Sequence, residues 1–261
     1  MNSLVLSEKY KDILVLRLNR PDKRNALNQE LVAELKEKIK DLQEDHSIRV
    51  MIITGVGDAF CAGADLAYLE KVSQFSEKEN LDDSHSLAAL FKMIYDMPKL
   101  TVAMVNGPAI AGGCGLALTC DYIFADKNRA KIGFSEVRIG FVPAIVMNFL
   151  IRKVSPNTAY KLAISAKILS ADQALKYDLV DNVFRAEHLQ EYTLDFIEKL
   201  MSQNSFSAMM HTKSLFHKIL DMPMVNGLEI ASRVNAQIRK TPDCQKGLHL
   251  FLKKQKIVWR D

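Results

Sequence analysis

Between Thr101 and Asp121 the chain passes through an apolar run, a break and a cluster of glycines, an order that few folds accommodate. Thr101 to Val105 has the length and β-branching of a buried strand. Asn106-Gly107-Pro108 ends it. Gly112, Gly113 and Gly115 then lead into Leu116-Ala117-Leu118, which reads as helix. Gly112 and Gly113 carry no side chain to hold a ligand off the backbone, and they fall where a helix leaves its first amides unpaired. Such a turn offers N–H donors and a positive dipole end to an oxygen that gains negative charge. Glycines between strand and helix also serve close packing alone, so the stretch by itself leaves both readings open. It is not a dinucleotide fingerprint, and no Gly-Lys-Ser/Thr follows to make a phosphate loop.

A second turn of the same kind lies upstream. Val50 to Thr54 predicts a buried strand ending at Gly55, and Phe60-Cys61-Ala62-Gly63-Ala64-Asp65-Leu66 follows with a glycine at its centre. In a parallel sheet both turns emerge at the same edge, where ligands of α/β folds bind. The backbone amides of Ala64 and Gly112 could there converge on one carbonyl oxygen.

The rest of the first half alternates strand and helix, which predicts a parallel sheet with crossovers. Ile13 to Leu18 reads as a strand. Asn28 is placed to cap a helix whose Leu31, Leu35, Ile39 and Leu42 share one face. Val72 to Ser86 is polar and without a clean period, and predicts a mobile lid over a site. Helical spacing returns at Leu87, Leu90, Phe91 and Ile94. Tyr122–Ala125, Lys131–Phe134 and Leu179–Phe184 read as further strands. Helices dominate from Pro143 onward, which divides the chain into a site-bearing core, residues 1–190, and a C-terminal helical region, residues 191–261.

Bulk properties exclude several classes. The net charge of +4, from 35 basic and 31 acidic residues, is too weak and scattered to argue for nucleic acid. No apolar run reaches the roughly 18 residues of a membrane span. The first residues lack a signal or transit pattern, so the chain is expected to be cytoplasmic. Cys61, Cys114, Cys120 and Cys244 form no C-x-x-C pair and have no histidines at metal spacing, which favours reduced thiols and no metal. A serine or cysteine hydrolase would need a histidine and an acid in register, and none of the histidines falls in a site motif.

Taken together, Arg24-Asn25-Ala26-Leu27-Asn28, Phe60 to Leu66, Val105-Asn106-Gly107, Ala111-Gly112-Gly113, Cys120-Asp121, Phe134 to Gly140 and Pro143 resemble the crotonase, or enoyl-CoA hydratase/isomerase, superfamily. The likeness spans nearly the whole chain. It implies an α/β fold, a spiral of ββα units with a C-terminal helical trimerisation region, assembled as a homotrimer or a dimer of trimers. It implies an acyl-CoA thioester as substrate, with coenzyme A part of that substrate and no separate cofactor. The thioester oxygen would lie between the amides of Ala64 and Gly112. Coenzyme A contacts would fall on Lys23, Arg24, Ala26, Ala62, Asp65 and Leu66, and on Phe251 and Lys254 of the last helix. Without the likeness, Lys23 and Arg24 read as a solvated turn.

Acid and base are where the chain departs from that pattern. Of the two glutamates of the best-known hydratases, one falls on Glu136 and the other on Gly115, which has no proton to give or take. A lone carboxyl still performs general acid/base work if an apolar pocket brings its pKa toward the working pH. Ala111 to Leu116, Ser135-Glu136-Val137 and Pro143-Ala144-Ile145 resemble a methylglutaconyl-CoA hydratase-like branch, as do Glu79, Asn80 and Asp83. The likeness therefore implies an enoyl-CoA hydratase. The alternatives are a 3-enoyl-CoA to 2-enoyl-CoA isomerase and, in another class, a non-catalytic acyl-CoA-binding protein. Cys114 reads as a packed small residue, His85 as exposed, and Arg138 as either an acyl-group contact or a structural ion-pair partner.

Overall fold

A computed structural model describes residues 3–259. Its first compact unit ends at Tyr192 and its second begins at Thr193.

The first unit opens with a hairpin of β1 (Val5–Tyr10) and β2 (Ile13–Leu18), antiparallel with Val5 opposite Leu18. The Asn28 side chain accepts from Leu31 N–H and caps α1 (Gln29–Glu44), which buries Leu31, Leu35, Ile39 and Leu42. Next come β3 (Val50–Gly55), α2 (Leu66–Val72), α3 (Glu77–Tyr95) and β4 (Leu100–Val105). Every residue of β3 and β4 is buried. Both sheet faces are therefore covered, which is why the two strands read as continuous apolar runs.

The polar segment after Val72 departs from expectation. Rather than an irregular loop, most of it is the first half of α3. Ser76 and Glu79 form a capping box that satisfies the first amides of that helix. Leu81 is exposed while Leu90, Phe91 and Ile94 are buried, so only the second half carries an apolar face. An exposed helical turn writes no period into the sequence, and that hid it.

The chain continues through β5 (Ala109–Ile110), α4 (Gly112–Leu118), β6 (Tyr122–Asp126), β7 (Lys131–Gly133), α5 (Ala144–Lys153) and α6 (Pro156–Ser165). β8 (Ile168–Ser170), α7 (Ala171–Lys176) and β9 (Asn182–Phe184) complete it; β9 is shorter than its sequence suggested. One sheet runs β1-β2-β3-β4-β6-β9, parallel from β2 onward. A smaller sheet runs β5-β7-β8, with β7 and β8 antiparallel. The apolar core lies in this unit, between the sheets and α1, α3, α4 and α5.

α8 (Ala186–Gln203) precedes α9 (Phe206–Ile219), α10 (Met224–Ile238) and α11 (Pro242–Leu252). In the second unit α9 packs on α10 and α11, and Lys246 Nζ lies 5.4 Å from the Trp259 ring centroid. No helix among the described residues is long and apolar enough to cross a membrane.

Candidate active site

The two glycine turns follow neighbouring parallel strands, β3 and β4, and leave the sheet at the same end. Asn106 ties those ends together. Its Oδ1 accepts from Gly55 N–H at 3.1 Å, and its Nδ2 donates to the carbonyls of Gly55 at 3.1 Å and Gly57 at 2.9 Å. The upstream loop then lies along the β4–α4 connection. Cys61 N–H donates to Pro108 at 3.1 Å, and Ile110 N–H donates back to Cys61 at 3.0 Å. A Cβ on Gly113 would sit 2.0 Å from the Cys61 carbonyl oxygen, so this approach admits only hydrogen.

Leu27 orients Ala64. Leu27 N–H donates to Gly63 O at 2.7 Å and Leu27 O accepts from Asp65 N–H at 3.0 Å, a parallel bridge opposite Ala64. Those bonds use the groups on either side of Ala64, so its own N–H points away from Leu27. Gly63 has φ +92°, and a Cβ built there would lie 3.6 Å from the Gly112 nitrogen, which brings the two turns together. Before Gly112, Ala111 holds φ 51° and ψ −121°. That is a region an alanine seldom occupies, at a cost of about 1–3 kcal/mol. The surroundings impose it: Ala111 N–H donates to Gly133 O at 2.8 Å and Ala111 O accepts from Gly115 N–H at 2.9 Å. Neither the Ala64 nor the Gly112 amide donates to a backbone acceptor among the described residues. Ala64 is exposed and Gly112 half-buried.

Glu136 reaches the same neighbourhood through β7. Gly133, which receives the Ala111 amide, closes that strand, and a 3-10 turn over Glu136–Ile139 follows. Glu136 Oε2 is buried and no protein group hydrogen-bonds to it among the described residues. Burial pushes its carboxyl above the ordinary glutamate range, partly offset by the amides of Glu136 and Ser135. Its charge also acts on the Cys114 thiol inside α4, which burial has already pushed up. Cys61 is likewise pushed up to about 12 by burial. Both thiols stay neutral, which makes them packing groups rather than nucleophiles.

The position where the likeness would put a second carboxylate is closed. A Cβ on Gly115 would lie 2.3 Å from Val146 Cγ1 and 2.9 Å from Phe91 Cε2. An apolar wall therefore occupies the place of an acid.

The remaining sequence candidates are scattered in environment. Lys23 and Arg24 are exposed on the turn after β2, Ala26 is buried and Ala62 half-buried. The Leu66 side chain lies outside the described part of the structure. Asp65 is buried and engaged: its Oδ2 takes Arg20 Nη2 at 2.7 Å and its Oδ1 caps α2 through Ala67 N–H at 3.0 Å. The Arg20 guanidinium holds that carboxyl below the usual range, against the effect of burial. Any coenzyme contact at Asp65 would thus fall to its backbone. Phe251 lies near the end of α11, whereas Lys254, expected on the same helix, follows its end at Leu252 with φ 53°; both are exposed in the second unit. His85 is exposed on α3, and Arg138 Nη2 donates to Ala166 O at 2.5 Å. No group of metal-ligating side chains exists among the described residues.

Sequence reasoning gave no role to Arg20 or Tyr68, and none to Asn25 beyond its place in the motif. Asn25 is fully buried at φ 56° and donates to Val56 O at 3.0 Å and Ala59 O at 2.8 Å. An asparagine before Ala-Leu was a readable hint of a left-handed residue. Tyr68 Oη hydrogen-bonds Asp83 and so links α2 to α3, a contact that no local pattern announces.

The strand order and helices make this a mixed α/β protein, and similarity to known proteins gives its family. Residues 8–261 match the Enoyl-CoA hydratase/isomerase family, and the chain belongs to it. It is 37% identical over 243 residues to a Thermus thermophilus protein provisionally named an enoyl-CoA hydratase, covering 93% of this chain and 95% of that one. It is 33% identical to the 2,3-dehydroadipyl-CoA hydratase of Escherichia coli, over 98% of this chain and 97% of that one. A crystal structure of an enoyl-CoA hydratase from Mycobacterium smegmatis superposes with TM-score 0.92 at 27% identity, covering 99% of each chain.

Proposed function

We propose that this chain is an enoyl-CoA hydratase that adds water across the double bond of a 2-enoyl-CoA thioester, with Glu136 as the single acid and base. The thioester oxygen is held by the Ala64 and Gly112 amides. Glu136 takes a proton from water, the water oxygen bonds to C3, and the C2–C3 π electrons move toward the thioester to give an enolate. Glu136 then returns the proton to C2, leaving a 3-hydroxyacyl-CoA. Each amide donor of such a pair contributes roughly 10²–10³ in rate. The carboxyl contributes about 10²–10⁴. Coenzyme A is part of the substrate, so no separate cofactor enters.

The observation that carries the reading is the buried, unpartnered Oε2 of Glu136 on a turn joined to the start of α4. Hydratase relatives support it, among them a crotonyl-CoA hydratase of Syntrophomonas wolfei, 31% identical over 97% of this chain. A second reading is favoured by the wall at Gly115. One carboxyl with no partner also suits moving a proton from C2 to C4 of a 3-enoyl-CoA, an isomerisation.

Crotonyl-CoA and a 3-enoyl-CoA, incubated separately with the protein, distinguish the two. Loss of the conjugated-enoyl absorbance is expected with the first. Its appearance with the second, and no loss with the first, would replace hydration by isomerisation. Binding with neither change would leave an acyl-CoA-binding protein.

A further inference from the structure

We infer that Arg20 is a positioning residue whose single guanidinium holds the Ala64 amide in line. The inference rests on the reading of Ala64 and Gly112 as the donors to the thioester oxygen.

Ala64 is aimed by its bridge to Leu27, and Arg20 grips both segments of that bridge. Its Nη1 donates to the carbonyl of Ala26, the residue before Leu27. Its Nη2 pairs at 2.7 Å with Oδ2 of Asp65, the residue after Ala64. The side chains of Arg20 and Asp65 are only 14% and 8% exposed, so solvent screens the pair little. Asn25 steadies Arg20 in turn, its Oδ1 accepting from Arg20 N–H at 2.9 Å.

A buried ion pair is weak evidence of stability, because desolvating both charges offsets their attraction. Its better-attested use is to fix register, and here the register is that of the peptide carrying a donor. The planar fork of arginine reaches two acceptors on two segments at once, which a lysine cannot do. A rotation of the 63–64 peptide, whose Gly63 carbonyl accepts from Leu27 N–H, would swing the Ala64 N–H off the developing oxyanion without removing any group that touches substrate. Misplacements of about 1 Å cost on the order of 100-fold in rate.

Arg20→Met and Asp65→Asn test this; the asparagine keeps an oxygen to cap α2. Steady-state hydration of crotonyl-CoA gives kcat and KM, and calorimetry gives coenzyme A affinity. The red shift of a bound 2,4-hexadienoyl-CoA reports how strongly the thioester carbonyl is polarised. The expected result is a kcat lowered about 10–100-fold in both variants, a diminished red shift, and coenzyme A affinity within about threefold. The double variant should be no slower than the slower single one, since both remove the same clamp. Wild-type kcat and a full red shift in either folded variant, even with a lowered Tm, would make the pair merely structural and overturn the inference. Should Arg20→Met not fold, Asp65→Asn carries the same readouts. No red shift in the wild-type protein would instead overturn the oxyanion reading itself, and the clamp with it.

Discussion

The two halves of the candidate site are built in opposite ways. The amide side is over-determined: bonds from Leu27, Asn106, Pro108, Gly133 and the Arg20–Asp65 pair fix the peptides around Ala64 and Gly112. The carboxyl side is sparse. Glu136 sits at the start of a short 3-10 turn whose following residues are exposed, and its buried oxygen has no protein partner. Charge that develops only in the transition state needs donors fixed beforehand, because reorienting them during the reaction would consume the stabilisation. A group that takes and returns a proton needs instead an unspent lone pair and a pKa near the working pH. Under the proposed mechanism the contrast matches the two tasks.

The strongest test of the contrast is Glu136→Gln. It should lower kcat by about 10²–10⁴ while leaving coenzyme A thioester binding nearly unchanged by calorimetry. Because burial raises this carboxyl, the acid limb of the wild-type rate profile should lie above the ordinary glutamate pKa of about 4.3. The same shift means that the folded chain holds this proton more tightly than the unfolded one. Wild-type stability should therefore fall as pH rises from the ordinary glutamate range through the raised value, and the glutamine variant should lack that fall and melt higher at neutral pH. A variant that turns over normally would remove Glu136 from the chemistry.

On the amide side the next largest effect is expected of Gly113→Ala. The added carbon meets the Cys61 carbonyl oxygen and must push the two turns apart. A loss of roughly 10²–10³ in kcat is expected, together with a lower Tm. An active, unshifted variant would mean that the turns are less rigidly coupled than their hydrogen bonds imply. Smallest is Gly115→Ala, which sets its new carbon against Val146 and Phe91. Overpacking should cost about 1–3 kcal/mol by chemical denaturation, and adding Val146→Ala should relieve part of it. No relief would show that the wall is not what closes this position.

Much of the fold was legible because burial leaves a pattern. β3 and β4, covered on both faces, read as unbroken apolar runs, and α1 shows one apolar stripe behind a visible cap. The glycines at 63 and 113 marked close backbone approach without naming what approaches. The first half of α3 was illegible for the opposite reason, being exposed and without period. Arg20 and Asp65 stand 45 residues apart, and each looks ordinary in its own surroundings.

The sequence by itself determined the buried strands β3 and β4, the capped helix α1 and the glycines that permit close approach, since all of these are local choices of residue. Only the tertiary structure decided that the turns around Gly63 and Gly112 meet, that Val146 and Phe91 fill the space beside Gly115, and that Glu136 Oε2 has no protein partner among the described residues. Those facts depend on contacts between segments far apart in the chain, where geometry, not composition, sets the distance.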